Sequence, residues 1–133
     1  MNKINAMDNE LLKGKKILIV EDDLSSRLYL NKVLEKTGAI LFNAGDGQQA
    51  FEIASANKDM DIILMDIQLP VIDGYSSAAK IRKLGTKAII VAQTAYGLTS
   101  DQENLIKSGF NDYFIKPIYK DKLIEKLSGF FKK

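Results

Sequence analysis

The run Ile62, Ile63, Leu64, Met65 is apolar throughout and ends on a carboxylate, Asp66. An unpaired charge at the end of a buried strand costs several kcal/mol unless a cation or hydrogen-bond donors compensate it. Three other short apolar runs end on groups of related chemistry: Lys16–Val20 leads into Glu21, Asp22 and Asp23, Ala88–Ala92 leads to Thr94, and Asp112–Ile115 leads to Lys116. Taken singly, an acidic pair after a strand is an ordinary turn or helix cap, a threonine a cap, and a lysine a surface charge. The sequence has no histidine and no cysteine. That removes the commonest general base, the thiolate nucleophile, the zinc–sulfur site and any phosphohistidine on this chain, and leaves carboxylates, lysine and hydroxyls to do the chemistry.

Positioning such groups requires a scaffold, and the spacing supplies one. With 133 residues, 46% hydrophobic and 27% charged, the composition is that of one ordinary globular domain. No apolar run approaches the roughly 20 residues of a membrane span, and no signal peptide is recognisable, so cytoplasmic location without membrane contact is the expectation. A net charge of +2, spread along the chain, argues against direct nucleic-acid binding. Residues 1–14 read as a leader or linker, and the domain is expected over 15–133. Apolar runs at Lys16–Val20, Ile40–Asn43, Asp61–Met65, Ala88–Ala92 and Asp112–Ile115 alternate with helical spacing. That spacing places Leu30, Val33 and Leu34 on one helix, Ala50, Phe51 and Ala54 on another, and Leu123, Ile124, Leu127, Phe130 and Phe131 on the last. Gly38, Gly85 and Gly109 stand where C-terminal caps belong. Strands joined through helices run parallel with right-handed crossovers, which predicts an α/β doubly wound open sheet.

In such a sheet ligands bind beyond the carboxyl ends of the strands. Glu21, Asp22, Asp66, Thr94 and Lys116 all leave those ends and converge on one edge. Glu21, Asp22 and Asp66 set three negative charges against the single positive charge of Lys116, an imbalance that a divalent hard cation offsets. Oxygen-only donors favour Mg²⁺, since a site that leaves coordination positions to water and phosphate suits it better than an all-protein calcium cage.

The segments LIVEDD at 18–23, LMDIQLPVIDG at 64–74, QTA at 93–95 and YFIKPI at 113–118 resemble, in order and spacing, the receiver domain of two-component response regulators. The likeness runs from about Lys15 to Phe131. It implies a five-stranded parallel sheet of order 2-1-3-4-5 with helices on both faces. Asp66 is then the phosphoryl acceptor. Asp22 and Asp66 hold Mg²⁺ directly, Glu21 reaches it through water, and the Gln68 carbonyl completes the protein ligands. Lys116 and the Thr94 hydroxyl bind phosphoryl oxygens, Gln68 and Tyr96 tune the lifetime of the phosphoryl group, and Thr94 and Tyr113 form the switch. The Lys116–Pro117 bond is implied to be cis. Many members carry Asp where this chain has Glu21, and the longer side chain alters its water contact. The implied donor is a histidine kinase or histidine phosphotransfer domain, and the responding surface is helix four around Leu98–Lys107, strand five, and helix five around Asp121–Phe131, a face that also allows a homodimer.

A Mg²⁺-dependent phosphohydrolase of the haloacid dehalogenase type also places a nucleophilic Asp at a strand end. It uses a second Asp two residues later, where this chain has Gln68, an amide useless for proton transfer near neutral pH. A phosphorylation-independent interaction module and a nucleotide or flavin carrier are further alternatives, the last opposed by the absence of a Gly-rich loop after strand one. The reading is therefore a signalling domain and not an enzyme, with donor and output elsewhere. The LLKGKK leader with the QTA and YFIKPI forms resembles receivers attached to hybrid sensor histidine kinases more than free-standing regulators.

Overall fold

The computed structural model describes residues 11–95 and 102–132. Five strands, β1 (Lys16–Val20), β2 (Ile40–Ala44), β3 (Ile62–Asp66), β4 (Ile89–Thr94) and β5 (Asp112–Ile115), form one parallel sheet in the order β2-β1-β3-β4-β5. Between them run α1 (Leu24–Glu35), α2 (Gly47–Ala56), α3 (Gly74–Arg82) and α4 (Gln102–Lys107), and α5 (Lys120–Gly129) closes the chain. The expected strands are present, with three of them shifted at their ends: β2 extends to Ala44, β3 runs from Ile62 to include Asp66, and β4 runs from Ile89 through Thr94.

Every residue of β3 is buried, as a central parallel strand covered on both faces must be. Side-chain alternation sorts the sheet into two cores. Leu18, Val20, Ile63, Met65, Ile90 and Ala92 pack against Ala50, Ala54, Ala78, Ile81 and Leu105 of α2, α3 and α4. Ile17, Ile19, Ile62, Leu64, Val91 and Phe114 pack against Leu30, Val33 and Leu34 of α1 and Leu123, Ile124 and Leu127 of α5. The helix positions selected by spacing face inward, with Phe51 half-buried at the margin, except that Phe130 and Phe131 fall beyond the last helix, whose final residue is Gly129, and lie half-buried past its end.

Three helices start on an aspartate that accepts from a backbone N–H three residues on: Asp23 from Ser26, Asp46 from Gln49 and Asp73 from Ser76, each at 2.8 Å. Gly38, Gly85 and Gly109 lie two or three positions past helix ends with φ of 83°, 84° and 103°. At Gly109 a Cβ would also fall 2.5 Å from the Arg82 Cγ, so backbone conformation and packing both require glycine there.

Residues 11–14, assigned from the sequence to the leader, form a turn docked on the domain. Leu12 is fully buried in the α1/α5 core, its N–H donates to the Thr37 carbonyl at 3.1 Å, and the Gly14 N–H donates to the Gly38 carbonyl at 3.1 Å. A pair of leucines is too short to show a period, so its burial was not readable from spacing. Leu12→Ala is expected to lower unfolding stability by about 2–5 kcal/mol, the usual cost of emptying a buried leucine site, read as a drop in urea midpoint at unchanged slope.

Candidate functional site

The site is assembled at the carboxyl edge of β1, β3, β4 and β5. Asp66 is held from two sides: its Oδ1 accepts from the Gln68 backbone N–H at 2.9 Å and its Oδ2 from the Lys116 ammonium at 2.8 Å. The carboxylate is nearly buried while the lysine is one-third exposed, so the pair sits at the rim of the cleft. Glu21, immediately after β1, is 1% exposed. Its Oε2 accepts from the Asp23 N–H at 3.1 Å, and its Oε1 lies 3.5 Å from the Lys116 ammonium without a hydrogen-bond partner. Arg27 donates to the Glu21 carbonyl at 3.3 Å, tying α1 to the end of β1. Asp22 is exposed and completes a cluster in which one oxygen each of Glu21, Asp22 and Asp66 lie within 4.8 Å of one another.

Burial, reinforced by the nearby Asp66 charge, raises the Glu21 carboxyl above the ordinary carboxylate range despite the Asp23 N–H and the Lys116 charge, which lower it. For Lys116, partial burial acts to lower its pKa, but the hydrogen bond and charge of Asp66, with Glu21 behind them, outweigh burial and raise it. One ammonium thus faces more negative charge than it neutralises. A buried carboxylate oxygen without a partner, inside a cluster of three carboxylates, fits a hard divalent cation. Asp23 stands apart from the cluster's chemistry. Its carboxylate caps α1, and the Ser26 N–H holds its pKa low.

The loop after β3 keeps Asp66 in place. Gly74 is buried, and a Cβ there would fall 2.5 Å from the Asp66 carbonyl oxygen, so the start of α3 packs directly on the Asp66 backbone. The Ile72 N–H donates to the Pro70 carbonyl at 2.8 Å, closing a γ-turn centred on Val71 at φ 68°. Pro70 opens this turn and Gly74 follows it at the start of α3, but its strained centre is an exposed valine, a residue rarely found there. The Lys116–Pro117 bond is cis.

Of the residues singled out from the sequence, Glu21, Asp22, Asp66 and Lys116 are brought together. Gln68 contributes its backbone N–H to Asp66, and its side chain is exposed. Thr94 ends β4 and Tyr113 lies on β5, half-buried against the α2–α4 core. Both belong to the sheet face opposite Asp66. Tyr96 and the start of helix four, 98–101, lie outside the described residues. Sequence reasoning passed over Gln93, which is 1% exposed, pairs with Asp66 in the β3–β4 register and lines a cleft of about 680 Å³ beside Lys116, Tyr29 and Tyr119. The signal was present in the alternation Ile89, Val91, Gln93, which places a polar side chain on an inward-facing position.

A parallel five-stranded sheet of this order, with an acidic cluster and a lysine at its carboxyl edge, defines a receiver domain. A family model described as the response regulator receiver domain matches residues 17–128, and the chain belongs to that family. It is 36% identical over 121 residues to the osmosensing histidine protein kinase SLN1 of Saccharomyces cerevisiae, covering 86% of this chain and 10% of that protein. Its structure resembles the receiver domain of a sensor histidine kinase of Pseudomonas aeruginosa, crystallised with magnesium coordinated in the active-site cleft (TM-score 0.77, 36% identity, covering 87% and 98% of the two chains). It also resembles a chain in the co-crystal structure of the Saccharomyces cerevisiae histidine phosphotransfer protein Ypd1 and the receiver domain of its downstream response regulator Ssk1 (TM-score 0.81, 32% identity, covering 88% of each chain). Relatives include hybrid histidine kinases, and the chain spans only 6–13% of the length of the curated histidine kinases it matches.

A carboxyl whose pKa is raised by folding contributes stability that is complete below its unfolded pKa and is lost as pH rises through the folded one. Ionised Glu21 should therefore destabilise the metal-free domain as pH climbs from the ordinary carboxylate range through its raised value. Glu21→Gln is expected to flatten that pH dependence, to raise the melting temperature without metal by roughly 3–6 °C at neutral pH, and to weaken Mg²⁺ binding, as followed by thermal denaturation with and without Mg²⁺.

Proposed function

We propose that this domain accepts a phosphoryl group on Asp66 from a phosphohistidine of a kinase or phosphotransfer partner. The observation that carries the reading is the fixation of Asp66 by the Gln68 N–H and the Lys116 ammonium, which leaves a nearly buried nucleophile held in one orientation at the mouth of the cleft. Phosphoryl transfer demands in-line positioning and charge neutralisation more than covalent assistance. An Asp66 oxygen forms the new O–P bond as the P–N bond of the donor breaks, and the electron pair departs with the imidazole nitrogen. Lys116 neutralises charge on the equatorial oxygens and the Thr94 hydroxyl binds one of them. Glu21, Asp22, Asp66 and the Gln68 carbonyl would hold Mg²⁺, which supplies further charge neutralisation on those oxygens.

Because Gln68 offers an amide where a hydrolase needs an acid–base carboxylate, the acyl phosphate is expected to persist long enough to signal. Tyr96 would further shield it from water. The yeast Ypd1–Ssk1 pair supports a phosphotransfer domain as donor, and the kinship with SLN1 supports a place within a hybrid kinase. Phosphorylation would draw the Thr94 hydroxyl toward the phosphoryl group and open space for the Tyr113 ring, changing the face built from α4, β5 and α5, where a homodimer would also form.

Incubation with acetyl phosphate and Mg²⁺ should add one phosphoryl mass to the intact domain. Asp66→Asn or excess chelator should abolish the adduct, and an adduct that persists in either case overturns the assignment. Addition of a beryllofluoride mimic should move amide resonances from Asp66 through Thr94 and Tyr113 into the α4–β5–α5 face, and Tyr113→Ala should confine those shifts to the cleft. Shifts that never leave the cleft of the unmutated domain would reduce Tyr113 to packing.

A further inference from the structure

Among the described residues, two buried side-chain polar atoms have no hydrogen-bond partner, Glu21 Oε1 and Gln93 Nε2. They lie on either side of Asp66. Glu21 follows Val20, which pairs with Met65 across β1 and β3, and Gln93 pairs with Asp66 itself across β3 and β4. Parity puts all three on the same face of the sheet. Ile19, Leu64 and Val91, each two residues earlier on its strand, pack in the α1/α5 core, and side chains two apart share a face.

The two atoms differ in kind. Glu21 Oε1 is an acceptor beside a carboxylate cluster, where a cation satisfies it. Gln93 Nε2 is a donor, and only an acceptor can satisfy it. A buried donor left without a partner costs about 1–3 kcal/mol, whereas an apolar side chain of similar shape in its place is close to neutral. Leucine or methionine would therefore serve a purely structural role better than glutamine. The neighbouring positions on this face, Val91 and Phe114, are apolar. Gln93 also lines a cleft with Lys116 and the α1 residues Ser25, Ser26 and Tyr29, and the strand order puts it on the opposite side of Asp66 from Glu21.

We infer that Gln93 is a phosphoryl-binding residue, its side-chain amide donating to an oxygen of the phosphoryl group carried by Asp66. This assignment rests on Asp66 being the acceptor. It gives the anion a donor from β4 on the α1/α5 face, while Thr94, the next residue, belongs to the opposite face. The unsatisfied amide of the unmodified domain becomes a bonded one in the phosphorylated domain, so its unfavourable desolvation in the first state turns into selective stabilisation of the second.

The test uses beryllofluoride with Mg²⁺ on the whole domain. In the unmutated protein the Gln93 side-chain amide resonance should move downfield on saturation, as an N–H newly bonded to an anion does. Gln93→Met should bind beryllofluoride at least roughly tenfold more weakly, the loss expected for one hydrogen bond to a charged group, and should lose phosphate from Asp66 faster. Its melting temperature without ligand should equal or exceed that of the unmutated domain. Equal beryllofluoride affinity in Gln93→Met, or a Gln93 amide signal that does not move in the unmutated domain, overturns the inference and leaves the Asp66 assignment intact. Failure of the unmutated domain to bind beryllofluoride at all overturns both.

Discussion

Two buried carboxylates, Glu21 and Asp66, share one ammonium at the end of an apolar sheet with a third, Asp22, beside them, and much of the molecule serves that unequal arrangement. Asp66 ends the most deeply buried strand, so its backbone has no freedom to retreat from Glu21, and Gly74 presses α3 against its carbonyl. Lys116 reaches in from the end of the edge strand β5 and bonds Asp66 at 2.8 Å while standing 3.5 Å from Glu21. One cation spread over two acids leaves net negative charge in a region partly shielded from water, where removing a partner is far more costly than on the surface. Such a site is unfavourable for the resting fold and favourable for a cation and for an anion that the cation helps to bind. Function and stability pull in opposite directions here, as is common where a site must await its ligand.

Alternation along the strands distributes the remaining roles. Consecutive residues Gln93 and Thr94 fall on opposite faces, and so do Tyr113 and Phe114, because the side-chain period of a strand is two. One face, closed by α1 and α5, carries the acidic row and Lys116. The other, closed by α2, α3 and α4, carries Thr94 and Tyr113. The cleft beside Lys116 is bridged by the Tyr29 hydroxyl, which donates to the Ile118 carbonyl at 2.9 Å and joins α1 to the loop that carries the lysine.

The far end of the sheet is arranged for permanence. Leu12 fills the α1/α5 core, the Lys15 ammonium lies 4.2 Å from the Phe131 ring centre, and Arg82 donates to the carbonyls of Gly109 and Ala88 and to the Asn111 side chain, binding the end of α3 to the strands that follow. Here the cations are met by carbonyl and amide oxygens and by an aromatic face instead of by clustered carboxylates. The contrast with the carboxyl edge is physical: one end minimises unsatisfied groups, and the other retains them.

The sequence by itself determined the alternation of strand and helix, the parallel sheet and the group of acids and lysine at its edge. Strong local signals carried those features: continuous apolar runs for buried strands, glycines in left-handed caps, and motifs whose spacing survives folding. Tertiary structure alone decided what depends on distance between remote segments. Leu12 joined the core because the groove between α1 and α5 had room for it, although two adjacent leucines show no period. Glu21, at first one acid among three neighbours, became the buried member with an unpartnered oxygen, and Asp23 became a helix cap, because the turn into α1 aims adjacent side chains in different directions. Gln93 gained meaning only when the β3–β4 register set it beside Asp66. The alternation Ile89, Val91, Gln93 assigns Gln93 its face of the strand, but its neighbour on β3 is set only when the apolar faces of the two strands pack together in the sheet.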